Sequence, residues 1–127
     1  MKILVLDDEQ IIRQLLSEVL NDWGHQVTAI ENGYEAVRLA KQNSYDIIFS
    51  DVHMPEITGL EVVTLIRKFD QRVIVVMMDS FPDSLSELAK ERGAITCIHK
   101  PFALEEIKDI IQEVKEGICG GEKIEVS

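Results

Sequence analysis

Cysteines, basic residues and long apolar runs are all scarce in this sequence, and each shortage excludes something. The two cysteines, Cys97 and Cys119, stand at no metal-ligand spacing. Neither a disulfide framework nor a thiolate metal site is expected from them. Lysine and arginine total 13 against 23 acidic residues, which leaves a formal net charge of −10. Phosphate contacts need a basic patch, so nucleic acid and anionic membrane surfaces are not expected as direct partners. Most of the charge reads as a solvating surface. The longest uninterrupted apolar run is Val73 to Met78, far short of the ~20 residues that cross a bilayer. Met1-Lys2 leads straight into "ILVL" with no secretory core or cleavage site, and a cytoplasmic protein is expected. There is no G-x-G-x-x-G and no P-loop, which argues against a nucleotide or dinucleotide cradle.

What is present fits one domain. The chain has 127 residues, 46% apolar and 28% charged, enough to bury a single core. Five apolar runs have strand length: "KILVLD" (2–7), "QVTAI" (26–30), "DIIFSD" (46–51), "RVIVVMM" (72–78) and "ITCIHK" (95–100). The first, third and fourth are nearly continuous rather than alternating, as parallel strands buried on both faces are. Five helical patterns separate and follow them. Ile12, Leu15, Leu16, Val19 and Leu20 form one stripe within 9–22, ended by Gly24. Asn32…Glu35, Thr58…Glu61 and Ser84…Glu87 spell helix starts by pairing a capping side chain with an acid three residues on. The last helix spans about 103–116, with Leu104, Ile107, Ile110, Ile111 and Val114 in register. Alternating strands and helices predict an α/β fold, a doubly wound parallel sheet covered on both faces. Residues 1–116 form that domain, and the Gly-rich 117–127 reads as a tail or the start of a linker.

In such sheets, sites form beyond the carboxyl ends of the strands. Asp7, Asp8 and Glu9 follow the first strand, Asp51 ends the third, Met78, Asp79 and Ser80 end the fourth, and Lys100-Pro101 follows the fifth. Each has an ordinary reading: a helix cap for Asp7 or Asp8, a loop acid for Asp51, a surface charge for Lys100. Together they are harder to dismiss. Two carboxylates about 4 Å apart repel by roughly 1–4 kcal/mol, so a cluster of them needs a cation or shifted pKa values. Carboxylate oxygens with water suit a hard ion such as Mg²⁺. A lysine offers a movable point charge suited to an anion.

The stretch "DIIFSDVHMPEITG" makes the pattern specific. Asp51 follows a buried strand, with Met54-Pro55 and Gly59 shaping the loop into the next helix. With Asp7-Asp8, Gly93-Ala94 and "KPF" at 100–102, this resembles the receiver domain of two-component response regulators, over about residues 2 to 116. The resemblance implies a flavodoxin-like (βα)5 sandwich with strand order 2-1-3-4-5. It implies that Asp51 accepts a phosphoryl group from a histidine kinase or phosphotransfer protein. It also implies that Asp8 is the main Mg²⁺ ligand, joined by Asp51 and the backbone carbonyl of His53, while Asp7 holds metal-bound water. Lys100 would pair first with Asp51 and then with the phosphoryl oxygens, aimed inward by a cis Lys100-Pro101 bond. The output would be a shift in conformation read by a downstream protein. In the family, the face of the fourth helix, fifth strand and fifth helix responds; here it would include Leu85, Leu88, Cys97 and His99. His53 has two readings: the stronger is an exposed loop histidine, the other a side chain that influences attack by water on the acyl phosphate.

The sequence also departs from that family. Met78 stands where receivers usually carry Ser or Thr, and a thioether has no hydrogen to donate. Asp79 replaces the usual small residue, and Cys97 the usual aromatic. Two readings stay open. In one, Ser80 substitutes, since alternation puts it on the side of Met78 if the strand extends that far. In the other, the site signals without that hydrogen bond, or acts as a binding module with no phosphorylation. A phosphatase using Asp7-x-Glu9 fits the remaining spacing less well, and a flavin site would meet a repelling "DDEQ" loop.

Overall fold

The computed structural model describes residues 1–80, 88, 90–119 and 122–123. Five strands, β1 (Lys2–Leu6), β2 (Gln26–Ile30), β3 (Ile47–Asp51), β4 (Ile74–Asp79) and β5 (Thr96–His99), form one parallel sheet in the order β2-β1-β3-β4-β5. The helices with described bounds are α1 (Gln10–Asp22), α2 (Gly33–Gln42), α3 (Gly59–Arg67) and α4 (Leu104–Lys115). The helix expected to begin at Ser84…Glu87 starts outside the described residues; Leu88, Lys90 and Glu91 are helical. After α4, Ile118–Cys119 pairs antiparallel with Glu122–Lys123 as β6 and β7.

The continuous apolar runs became the inner strands. Every residue of β3 and β4 is buried, whereas β2 and β5 at the edges are largely half-exposed. Alternation divides the inner side chains between two cores. Leu4, Leu6, Ile48, Val75 and Met77 pack toward α2 and α3, while Ile3, Val5, Phe49, Val76 and Met78 pack toward α1 and α4. Met77 is thus plain core, as are the stripes of α1 (Leu16, Leu20) and α4 (Ile107, Ile110, Ile111).

Local chemistry sets the helix ends. Asn32 accepts from the backbone N–H groups of Tyr34 and Glu35, and Thr58 accepts from Glu61 N–H, each satisfying donors that a helix start leaves open. At α4, the Glu106 carboxylate reaches back to Ala103 N–H. Gly24, at φ +90°, ends α1, its N–H bonded to Asn21 O and that of His25 to Leu20 O; a left-handed turn of this kind favours glycine.

Candidate phosphoryl-acceptor site

Sheet register decides which strand-end side chains meet. In adjacent parallel strands, paired residues point to the same face. Asp51 pairs with Met78, and Met78 with Ile98. So Asp51 shares its face with Met78, on the side covered by α1 and α4. Two residues beyond Val5 of the same core, Asp7 extends β1, its N–H bonded to Ile30 O at 3.1 Å. Asp7 and Asp51 are both buried, and Asp8 is exposed at the rim. One carboxylate oxygen from each of the three lies within 4.8 Å of the others.

Asp7 does not cap α1 in the usual way. Glu9 stands at the N-cap position with no side-chain cap bond, and Asp7 Oδ1 accepts from Glu9 N–H at 2.8 Å. Arg13 donates to the Asp7 backbone carbonyl at 2.8 Å and approaches Glu31 to 3.8 Å, which ties the β1–α1 loop to the end of β2. The other oxygen, Asp7 Oδ2, is buried. Lys100 Nζ lies 2.6 Å away, yet the approach leaves Oδ2 without a well-directed hydrogen bond. The same ammonium is 3.3 Å from Glu9 and 3.5 Å from Asp51. Lys100 is placed by a cis bond to Pro101 and by its own N–H on Asp79 O, 2.7 Å.

This crowding shifts the titrations. Burial, and then the charge of Asp7, push the Asp51 carboxyl up to about 7, against the pull of Lys100. Burial also raises Asp7, opposed mainly by the Lys100 ammonium beside it. For Lys100, burial works against the charged form, but Asp7, Asp51 and Glu9 together hold its pKa above the ordinary lysine value. A poorly satisfied buried oxygen inside a ring of three carboxylates fits a hard divalent cation, whose charge relieves the repulsion and whose ligands are oxygens.

The loop after β3 brings the acceptor strand and α3 close together. A Cβ on Gly59 would lie 2.1 Å from the Asp51 carbonyl oxygen and 2.7 Å from Met77 Cε, so only glycine fits there. Gly59 N–H bonds Val52 O at 2.9 Å, and Val52 N–H bonds Met78 O at 3.0 Å. Of the remaining predicted residues, Met78 is wholly buried at the register position beside Asp51, and β4 ends at Asp79, leaving Ser80 exposed beyond it. His53 is exposed, as expected for a loop histidine, with Nε2 3.5 Å from the buried Asp79 carboxylate. Cys97 is half-buried against the core on the α2 and α3 side. Leu88 and His99 are exposed, and Leu85 lies outside the described residues. Three contacts were missed by sequence reasoning: Glu9 on Lys100, Asp7 on Lys100 and His53 on Asp79. The only signal for the first was the adjacency of Glu9 to Asp8.

An open doubly wound sheet with three acids and a lysine at its carboxyl edge defines a class of signalling module, and comparison with known proteins agrees. A family model described as the response regulator receiver domain matches residues 3–112. The chain belongs to this family, the receiver domains of two-component response regulators. Sporulation initiation phosphotransferase F of Bacillus subtilis is 32% identical over 113 residues, covering 88% of this chain and 91% of that protein. The B. subtilis transcriptional regulatory protein YkoG is 35% identical over 108 residues, which cover 83% of this chain but only 46% of that protein. Among solved structures, the response regulator TrrA of Thermotoga maritima, in complex with Mg²⁺-BeF, superposes with a TM-score of 0.81 at 34% identity, covering 89% of this chain and 97% of that one. The strand order and the fold expected from the sequence are those observed.

Proposed function

We propose that Asp51 is a phosphoryl acceptor, loaded by a histidine kinase or phosphotransfer protein, and that the resulting change of shape is read by a downstream protein. The observation that carries this is the buried Asp51 carboxylate at the end of β3, within 4.8 Å of Asp7 and Asp8 carboxylate oxygens and 3.5 Å from the Lys100 ammonium. An Asp51 oxygen attacks the phosphorus of a phosphohistidine. The P–N bond breaks, its electron pair returns to the imidazole, and an acyl phosphate remains on Asp51. Asp8 and Asp51, with the backbone carbonyl of His53, would hold Mg²⁺, and Asp7 would hold a water on it. When bound, Mg²⁺ supplies positive charge that offsets the phosphoryl oxygens and the surrounding carboxylates. Lys100 steadies the phosphoryl oxygens as a point charge. The added negative charge on Asp51 then shifts the balance between conformers, with Leu88, Cys97 and His99 on the responding face.

We take residues 1–116 as the receiver unit and 117–127 as a tail or linker start, in a cytoplasmic protein. TrrA was solved with Mg²⁺-BeF, and that relative supports a phosphoryl-binding reading here. Incubation with acetyl phosphate and Mg²⁺ should give one acid-labile phosphate per chain, absent in Asp51→Asn. A second reading, a binding module that works without phosphorylation, is favoured by one feature. Met78, which cannot donate a hydrogen bond, is buried at the register position beside Asp51. No phosphate on the wild-type chain in this assay would decide for it.

A further inference from the structure

Glu9 has no part in the acceptor reading, yet its carboxylate holds the same ammonium. Lys100 Nζ is 2.6 Å from Asp7 Oδ2, 3.3 Å from Glu9 Oε1 and 3.5 Å from Asp51 Oδ2. Asp51 is the farthest of the three. The contact with Glu9 has hydrogen-bond geometry, while Asp7 Oδ2 lacks a well-formed bond despite its proximity. Three carboxylates thus compete for one ammonium. Two of the three follow β1 and precede α1, and they draw the lysine away from the acceptor strand.

A phosphoryl group on Asp51 would bring nearly two negative charges and strong acceptor oxygens to its side of this contest. One rival must then release the lysine. Asp7 is wholly buried and bound to Glu9 N–H, so turning its carboxylate away would strand a charge. The Glu9 side chain is 56% exposed, whereas that of Lys100 is only 7% exposed. Glu9 therefore reaches water with one side-chain rotation. It caps no helix donor, so that rotation breaks nothing else at the start of α1.

We propose that Glu9 is a positioning residue: it holds Lys100 on the β1 side while Asp51 is unmodified and yields it to the phosphoryl oxygens, so that the site binds a phosphoryl group more weakly than it would without Glu9. This rests on Asp51 being the acceptor. The effect is that of one largely exposed ion pair, about two- to fivefold in affinity.

The test is a titration of the full chain with beryllofluoride, a phosphoryl mimic, at saturating Mg²⁺, followed by ¹⁹F NMR or calorimetry. Glu9→Gln should tighten binding about two- to fivefold. Glu35→Gln removes the same charge from the start of α2, at the same end of the sheet, where its carboxylate pairs with Arg38, and should leave binding unchanged. Unchanged or weaker binding in Glu9→Gln overturns the inference alone. An equal gain in Glu35→Gln overturns it too, since the effect would then be charge acting through space. If the wild-type chain takes up no beryllofluoride, the acceptor reading fails first and the inference falls with it. Thermal unfolding of Glu9→Gln checks the fold separately.

Discussion

The surroundings of Asp51 oppose its charge, and that has a measurable sign. Its carboxyl is raised from 3.8 to about 7 by burial first and by Asp7 second, so the ionised form is disfavoured in the folded chain relative to the unfolded one. A raised carboxyl contributes stability that is fully present below its unfolded pKa and is lost as pH rises through the folded value. Asp7 shifts in the same direction. Lys100, also raised, loses its contribution only in the alkaline range and does not offset this. In metal-free buffer, Asp51→Asn should match the wild type near pH 4 and exceed it by a few kcal/mol at most near pH 7.5. Urea unfolding at both values reads the difference; a gap that stays constant or reverses with pH would sink the account. At this scale the sequence showed the charges but not their sharing. It put Asp7, Asp8, Asp51 and Lys100 at strand ends, because apolar runs mark where each strand stops. That Lys100 sits nearer Asp7 than Asp51, and that His53 reaches Asp79, depends on side-chain rotamers across loops distant in sequence. The question between Met78 and Ser80 needed the end of β4: alternation fixes a face only while the strand lasts, and β4 stops at Asp79.

The loop from β3 to α3 carries the site on backbone contacts rather than on side chains. Thr58 caps α3, Gly59 N–H takes Val52 O, and Glu56 is held at φ 70°, a left-handed conformation that costs a non-glycine residue about 1–2 kcal/mol. Gly59 is the point of closest approach. Its absent Cβ would meet the carbonyl oxygen of Asp51 itself at 2.1 Å, so any larger residue must push either α3 or the acceptor strand. Gly59→Ala should cost about 3 kcal/mol, the upper part of the range for overpacking, and should weaken beryllofluoride binding because the shift falls on Asp51. A variant with wild-type stability and binding would show that the loop relaxes freely. Much of this element was legible in the sequence: the Thr58 cap and the breaks at Pro55 and Gly59 are local signals, and local signals survive folding. The reason for Gly59 was not legible, because the atom it avoids belongs to another element's backbone. The small ribbon Ile118–Cys119 with Glu122–Lys123 has no periodic apolar pattern, so a two-residue pairing left nothing to read.

Across the whole molecule most described acids face water, but a few are gathered where charge is least comfortable. The net charge is −10, and three of the acids stand together at one edge of the sheet, with Lys100 as the cation among them. No described helix is long and apolar enough to cross a membrane. Two cores favour the fold, and repulsion at the acidic edge opposes it. Mg²⁺ held at that edge would bind the folded chain and not the unfolded one, where the three carboxylates are no longer gathered. Binding of that kind stabilises by mass action, ~2.7 kcal/mol at a hundred times Kd, which for a chain of this size raises Tm by on the order of 10 °C. Screening of the general negative charge also stabilises, but sodium chloride supplies that equally well. The comparison is therefore Mg²⁺ against sodium chloride at matched ionic strength, in the wild type and in Asp8→Asn. The wild type should gain the larger shift with Mg²⁺ alone, and Asp8→Asn should respond to the two salts alike. Equal shifts in the wild type would mean that the acidic edge is screened rather than occupied, and the assignment of Asp8 as the principal metal ligand would be wrong.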